Sequence, residues 1–505
     1  MSMPRRCLLG YLTVAALAAT AVLSAAPAAT ADPQPRPNSV LDRADAVLDG
    51  WTDPASYRLD ASVVLRDVFV ARPTMDDTEK WRATRLLARP TDKARDPYGD
   101  GYRAPSTRVC HGPLCVHYVR KTRDAPRNEA WPRTTLRVMN RVWRTEVRRM
   151  GFRPPPRDRR HGGDGRFDVY LKELGSLGLY GYCAPEYRLP GQRQVASGYC
   201  VLDDDFARRQ YGEKPKLSLR VTAAHEFFHA IQFGYDFTED PWLLESTATW
   251  MEERVADGAD DNRRYLPYGQ LARPGSSLDL FDPTGFNQYG NWTFWEYLGA
   301  RFGNDVIRAV WRQAGAYDGA PDRYSVAALR KVLARYGGLA PAFAAYTSAG
   351  TAPAHFFEEG AAWPTSTSRL GRLGSGNRRA STSLRINHLA ARTIDVRPAE
   401  SLRDRRWRLR ITVDAPPART GPAAHVQVWR RNGTVTSRPI LLDDGVGRER
   451  VRFAQRQVRR VTITLANAST RYRCGRGGPS FACAGRPRDQ RLRFDVAVRV
   501  VRRQS

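Results

Sequence analysis

The chain has 505 residues, of which 42% are hydrophobic, 10% aromatic and 26% charged. This composition is typical of a globular protein and excludes a fibrous or mainly disordered chain, and the length requires more than one domain. Lysine and arginine together number 81 against 52 acidic residues, so the net charge of +29 predicts a surface that attracts polyanions.

The N-terminus has the pattern of an export signal. Arg5 and Arg6 precede an apolar run over 8–23, and Ala29-Thr30-Ala31 is a small-residue cleavage site. We therefore predict that residues 1–31 are a signal peptide and that the mature protein is secreted and extracellular. No later apolar run has the ~18 residues of a membrane helix, so we expect no integral membrane contact. In that compartment the basic surface would meet an anionic cell-wall polymer, and we expect no nucleic acid partner.

Six cysteines follow the signal peptide, and an even number in a secreted chain predicts disulfides. Proximity in the sequence favours the pairs Cys110–Cys115, Cys183–Cys200 and Cys474–Cys483. Metal binding by these cysteines is disfavoured, because no two of them have the C-x-x-C spacing of a structural zinc site.

Residues 32–104 have short helical patterns at 40–48 and 78–87, and they form an N-terminal extension, a propeptide or a packing element of the next domain. The segment 105–370 mixes strands and helices, which indicates an α+β domain. The patterns predict a hairpin at 106–119, strands at 167–171 and 198–202, and helices at 128–150, 217–235, 242–255, 290–301, 305–315, 325–336 and 338–348. The run Asp203-Asp204-Asp205 is interpreted as a solvated turn, because three adjacent acids on an extended segment do not face one calcium ion.

The character of the chain changes after about residue 370. Residues 371–381 are rich in glycine, serine and arginine and are predicted to be a linker. Short alternating runs separated by turn signals follow, such as 407–413 and 461–465. Residues 382–505 are therefore predicted to form a C-terminal β-sandwich.

The strongest chemical signal is His225-Glu226-x-x-His229 inside a helical run. Two histidines four residues apart lie one above the other on a helix face, so both imidazoles can bind one cation. The intervening Glu226 can act on a metal-bound water, and zinc fits because it accepts nitrogen ligands and lowers the pKa of bound water to about 7. A core helix with two hydrogen-bonded histidines is disfavoured, because apolar cores rarely hold two histidines and a glutamate together.

A catalytic zinc of this kind needs a third protein ligand. The arrangement H-E-x-x-H-x-x-G-x-x-H is excluded, because Gln232 and Tyr235 occupy its glycine and third histidine positions. Glu245 is the favoured ligand, because an acid on the apolar face of the next helix needs a partner. The competing carboxylates are Asp236, Glu239, Glu252 and Glu253.

These motifs resemble the gluzincin branch of zinc metallopeptidases, and Trp242-Leu243-Leu244-Glu245-Ser246-Thr247-Ala248 is similar to the W-x-x-E-[GS]-x-A signature of its secreted bacterial members. The resemblance implies a zincin-like domain with a mixed sheet, an active-site helix and a helical lower lobe. It implies His225, His229 and Glu245 as zinc ligands and Glu226 as general base. It also implies a protein or peptide substrate bound in extended form along an edge strand, for which 198–202 is the best candidate.

The sequence departs from the family at one position. Many members carry an aspartate four residues after the ligand glutamate, and here that residue is Thr249. Glu252 or Glu253 is the expected replacement that orients a ligand histidine. Tyr289 is the first candidate for the donor to the oxyanion, and His355 is the second.

Together these features predict a hydrolase, a secreted zinc metalloprotease. Two alternatives stay open. One is a basic protein that adheres to the cell wall and holds a non-catalytic zinc ion, which the intact Glu226 and the three apparent ligands disfavour. The other is a zinc hydrolase of a non-peptide amide, which would use the same ligands.

Overall fold

The computed structural model describes residues 39–48, 61–92, 101–365 and 367–503, so the predicted signal peptide lies outside the described residues. Helices and one mixed sheet make up the part before residue 367, and strands dominate the part after it. The α+β class predicted from the sequence is confirmed.

Among the described residues, three α-helices precede the first sheet in the chain: α1 (Val40–Leu48), α2 (Ala61–Ala71) and α3 (Asp77–Leu86). The helix α2 was not predicted, because most of its residues are buried and its sequence has no polar face to give a helical period. Asp76 caps α3, and its side chain accepts a hydrogen bond from the Glu79 backbone while Glu79 accepts one from Asp76.

The first sheet has five strands in the order β1-β2-β3-β5-β4. Their bounds are β1 (Ser106–His111), β2 (Leu114–Val119), β3 (Phe167–Lys172), β4 (Gly181–Arg188) and β5 (Ala196–Asp203). The prediction that 198–202 is an edge strand is wrong, because β5 pairs with both β3 and β4. All residues of β5 are buried, as expected for an interior strand, and β4 is the edge on that side.

The longest helix, α6 (Pro215–Asp236), crosses β4 and β5, and α7 (Pro241–Ala256) packs against it. A proline begins each helix, where its fixed φ is favourable and its missing N–H costs no hydrogen bond. The helix α4 (Trp131–Trp143) packs on α6 and β2 and continues as a π-helical turn over Arg144–Arg149. The remaining helices are α5 (Arg208–Tyr211), α8 (Asn287–Gly290), α9 (Trp292–Phe302), α10 (Asp305–Ala314), α11 (Ser325–Leu333), α12 (Leu339–Ala349) and α13 (Pro353–Phe356).

A buried arginine anchors the N-terminal segment to the first sheet. Arg89 is 2% exposed, and its guanidinium donates to both carboxylate oxygens of Glu186 at 2.6 Å. It also donates to Asp168 at 2.8 Å and to Asp158 at 2.9 Å. The segment 61–92 therefore packs on the sheet through buried charges as well as apolar contacts.

Two five-stranded sheets follow, in the orders β11-β10-β14-β8-β6 and β12-β13-β9-β17-β7, and side chains from both belong to one hydrophobic core. A two-stranded ribbon joins β15 to β16. The strands are β6 (Ser368–Leu373), β7 (Arg379–Ile386), β8 (Ala390–Pro398), β9 (Trp407–Asp414), β10 (Pro422–Arg430), β11 (Val435–Ile440), β12 (Leu442–Asp443), β13 (Val446–Arg452), β14 (Val458–Asn467), β15 (Tyr472–Arg473), β16 (Arg486–Pro487) and β17 (Leu492–Arg502).

The range 371–381, predicted to be a linker, instead contains the end of β6 and the beginning of β7. Gly371 lies where the register of β6 against β8 shifts, and its φ of 154° is one that glycine adopts readily. The glycine signal therefore marks an irregularity within a strand rather than a free segment.

Buried polar contacts dock the C-terminal part on the part before it. The carboxylate of Asp279 is fully buried and lies 2.8 Å from both His388 Nε2 and the Tyr472 hydroxyl. The backbone nitrogen of Cys483 donates to Asp240, the residue before α7, at 2.8 Å.

The three predicted cysteine pairs, Cys110–Cys115, Cys183–Cys200 and Cys474–Cys483, are bonded. Such bonds are typical of proteins in an oxidising compartment. Within the described ranges, no helix combines the length and the apolar character needed to cross a membrane.

The acidic run 203–205, which begins at the last residue of β5, is not the solvated turn that the sequence predicts. Asp203 is fully buried and accepts backbone hydrogen bonds from Leu174, Gly175, Asp205 and Phe206, so it organises the loop. Asp204 is 3% exposed, and burial together with the neighbouring carboxylates raises its pKa to about 9. The loop is buried because it packs under the segment that follows β3.

Candidate metal centre

The helix α6 carries His225, Glu226 and His229 on a buried stretch that begins at Ser218. The two imidazole rings lie one turn apart, with their centroids separated by 4.9 Å. His225 and His229 are 6% and 1% exposed, so both rings are largely removed from water.

Glu245 on α7 faces both histidines. Its Oε2 lies 3.4 Å from His225 Nε2, and its Oε1 lies 3.6 Å from His229 Nε2. These three residues form one group whose ligand atoms all lie within 4.8 Å of one another. The loop 237–240 reverses the chain between α6 and α7 and brings the carboxylate to the histidine face.

The donor set fits a zinc ion. A tetrahedral ion at about 2.1 Å from each ligand separates the ligand atoms by roughly 3.4 Å, which is close to the separations seen here. Both oxygens of the fully buried Glu245 accept no hydrogen bond from the residues that the structure describes. Burying a carboxylate in this way is costly unless a cation balances it.

The Nδ1 atom of His225 lies 2.8 Å from Oε1 of Glu252, one of the two carboxylates that the sequence offered for this role. Burial raises the pKa of Glu252, while its contact with His225 lowers it. Glu253 points elsewhere and accepts a hydrogen bond from Asn262 at 2.8 Å. Glu252 is therefore the carboxylate that contacts a histidine of this group, whereas the Thr249 hydroxyl donates to the Glu245 carbonyl.

A neutral amide orients the second histidine. His229 Nδ1 lies 2.7 Å from Oε1 of Gln232, whose Nε2 donates to the Leu244 carbonyl and the Thr247 hydroxyl. Because an amide oxygen only accepts, the hydrogen of His229 sits on Nδ1 and the lone pair on Nε2, toward Glu245. Gln232 was used only to exclude the motif with a third histidine, and its contact with His229 was not predicted from the sequence. Its position three residues after His229 on the same helix could have indicated that contact.

A cavity of about 540 Å³ opens on His225 and Glu226. Tyr289, the first candidate donor, lines this cavity, and its ring stacks near His225 with a centroid distance of 6.2 Å. His355, the second candidate, is exposed and lies 2.9 Å from the Gly433 carbonyl, away from the cavity. The structure therefore brings Tyr289 to the site and not His355.

Two buried polar groups near the centre were missed in the sequence. Glu146, in the π-helical turn, is fully buried, and burial raises its pKa while the nearby His225 lowers it. Glu146 lies four residues after the buried Val142, so it continues the apolar face of α4, and this spacing could have indicated that its side chain is buried. Ser62 on α2 contacts Glu226 at 2.7 Å, and no local pattern points to a contact across 164 residues.

The competing carboxylates have other partners. Asp236 accepts hydrogen bonds from the backbone and hydroxyl of Thr238, and Glu239 accepts from the backbone of Asp240 and Ser325. Neither belongs to the group formed with His225 and His229.

Neither the models of known protein families nor the curated proteins give a match to this sequence.

Proposed function

We propose that the protein is a zinc-dependent endopeptidase of the gluzincin type. The observation that carries this proposal is the convergence of His225, His229 and Glu245 beside Glu226, which lines a cavity together with His225. His225, His229 and Glu245 would hold the zinc ion, and three protein ligands leave a position for water, as a catalytic site requires.

A zinc ion in this group supplies Lewis acidity, which lowers the pKa of water and polarises a carbonyl. Glu226, which lines the cavity, takes the proton of the attacking water and delivers it to the leaving amine. Tyr289 donates its phenolic hydrogen to the oxyanion that forms on the scissile carbonyl. Glu252 and Gln232 keep the two imidazoles in the orientation that directs Nε2 toward the ion.

We also propose a zincin-like fold for 105–370 and a β-sandwich for 382–505. The mixed sheet with α6 across it supports the first assignment, and two five-stranded sheets on one shared core support the second. Secretion of the protein fits its three disulfides. The excess of arginine and lysine fits adhesion to an anionic cell-wall polymer.

One observation favours a second candidate, the hydrolysis of a small non-peptide amide. The backbone N–H of Cys183 on the edge strand β4 donates a hydrogen bond to the Ser62 hydroxyl of α2. An extended peptide would therefore not pair with β4 at that residue. A substrate held within the cavity would not need that pairing.

The deciding experiment measures hydrolysis of an unfolded protein, and in parallel of small non-peptide amides, by the full-length mature chain. We expect a chelator to abolish the activity and added zinc to restore it. The variant Glu226→Gln should keep its zinc and lose activity by roughly 10²- to 10⁴-fold.

The matched control is Glu253→Gln, which removes a neighbouring buried carboxylate that contacts Asn262 instead of the centre. This variant should keep its activity. Equal hydrolysis by wild type and Glu226→Gln would refute the assigned mechanism, and hydrolysis of small amides alone would favour the second candidate. Zinc binding without hydrolysis of either substrate would indicate a non-catalytic zinc protein.

A further inference from the structure

Ser62 reaches the proposed general base from the helix α2. Its Oγ lies 2.7 Å from Glu226 Oε2 and 2.8 Å from the backbone nitrogen of Cys183 on β4. Ser62 is only 1% exposed, so bulk water does not compete for either contact.

The direction of the serine proton follows from these two contacts. A backbone N–H only donates, so Oγ accepts the hydrogen of Cys183. The single hydrogen of the hydroxyl is then directed to Oε2 of Glu226. The Ser62 hydroxyl therefore accepts from the strand and donates to the side chain of Glu226 at the same time.

The sheet fixes the position of this hydroxyl. Cys183 is opposite Cys200 in the register, and their Cα atoms are 4.0 Å apart, which is closer to the spacing of a non-hydrogen-bonded antiparallel pair. The N–H of Cys183 therefore points away from β5 and toward α2. Ser62 thus links Glu226 to the edge of a sheet that also carries a disulfide.

The helix α2 is part of the core. Val63, Val64 and Leu65 are buried, and Arg66 donates to the Glu239 carbonyl at 2.9 Å. The cavity still reaches Glu226 while Ser62 is in contact with it. These facts favour a helix that orients Glu226 over one that blocks access to it.

We propose that Ser62 is a positioning residue whose hydroxyl fixes the carboxylate of Glu226 through Oε2. The inference rests on the proposed role of Glu226 as general base. A glutamate side chain has three rotatable bonds, and the bond from Ser62 restricts the carboxylate to one orientation at the cavity. Misplacing a reacting group by about 1 Å lowers a rate by roughly 10²-fold, so this restriction matters for turnover.

The test compares Ser62→Ala and Ser62→Thr with the wild type and Glu226→Gln in the full-length, zinc-loaded protein. We expect Ser62→Ala to lower kcat by roughly 10- to 100-fold, to change KM by less than about twofold, and to leave the zinc content unchanged. Ser62→Thr restores a hydroxyl and should recover most of kcat. The matched control Val63→Ala loosens α2 without removing the hydroxyl, so it should lower the melting temperature but not kcat.

Three outcomes separate the possibilities. A kcat of Ser62→Ala equal to that of the active wild type refutes the positioning role, and a higher kcat would mean that α2 blocks the site.

If the wild type is inactive, the proposed function fails, and the contact between Ser62 and Glu226 is tested by thermal unfolding of the metal-free protein. There, Ser62→Ala and Glu226→Ala should shift the melting temperature non-additively, and additive shifts would refute the contact. If Ser62→Ala does not fold, Ser62→Cys replaces it, with an expected intermediate loss of kcat.

Discussion

Replacing Arg89 by methionine should destabilise the protein strongly. The guanidinium makes five hydrogen bonds, two to Glu186, one each to Asp158 and Asp168, and one to the Tyr170 hydroxyl at 2.9 Å. Methionine fills a similar volume but leaves these carboxylates without their cation. Removing one partner of a buried ionic network costs about 3–5 kcal/mol.

Arg82→Met is the matched control, because it removes the same side chain from the same segment at a partly exposed position. Arg82 pairs with Asp42 and Asp45, its side chain is 33% exposed, and that of Asp42 is 42% exposed. Exposed pairs contribute about 0–1 kcal/mol, so the two variants should differ by several-fold in their cost.

The cost of Arg89→Met should depend on pH. Burial raises the pKa of Asp168, but the contacts with His117 and Arg89 lower it by more, so the net shift is downward. A lowered pKa adds stability above the ordinary value of about 4, and this stability is lost as the pH falls through the folded-state value. Without Arg89 the pKa of Asp168 rises, so the deficit of the variant should be full near pH 7 and should shrink as the pH falls below about 4.

The assay is denaturant unfolding of both variants and the wild type at several pH values, followed by circular dichroism. A cost for Arg89→Met no larger than that for Arg82→Met would refute the reasoning. A cost that stays constant from pH 7 down to about pH 2 would show that the ionised carboxylates do not carry it.

Three further predictions concern single residues. Glu252→Gln keeps an acceptor for His225 but removes the carboxylate, so the affinity for zinc should fall by roughly 10- to 100-fold. Competition with a chromophoric chelator measures this affinity, and an unchanged value would contradict the role of Glu252. The pKa of Asp204 is raised to about 9, so the stability it contributes is present at low pH and is lost as the pH rises toward that value. Asp204→Asn should therefore raise the melting temperature more at pH 8 than at pH 5, and an equal shift at both would count against the buried acid. Tyr289→Phe should lower kcat by roughly 10²- to 10³-fold with zinc retained, and full activity would exclude it as the oxyanion donor.

The sequence predicted the centre well where the chemistry is local. His225 and His229 lie on one helix, so their spacing was sufficient to pair them. Glu245 was favoured over four competing carboxylates because it stands on the apolar face of the next helix. The same locality explains why the three disulfide pairs were predicted, since each joins neighbouring cysteines.

Contacts between segments that are distant in the chain could not be predicted from the sequence. Ser62 and Glu226 meet only because α2 packs along β4, and a sequence pattern carries no record of that packing. The edge strand was misassigned because the order of strands in a sheet does not follow their order in the chain. The run at Asp203 was misread because local polarity indicates solvent, whereas backbone donors from the loop after β3 are what it binds.

The contact between Cys483 and Asp240 makes the C-terminal part more than an appended module. Asp240 stands at the start of the helix that bears Glu245, so the loop closed by Cys474 and Cys483 braces that helix from outside. A shortened chain ending near residue 370 would lack the contact between Cys483 and Asp240 and would leave the buried Asp279 without His388 and Tyr472. Exchanging the terminal sheets for those of another protein would require moving this loop together with the surface around Asp240 that it contacts.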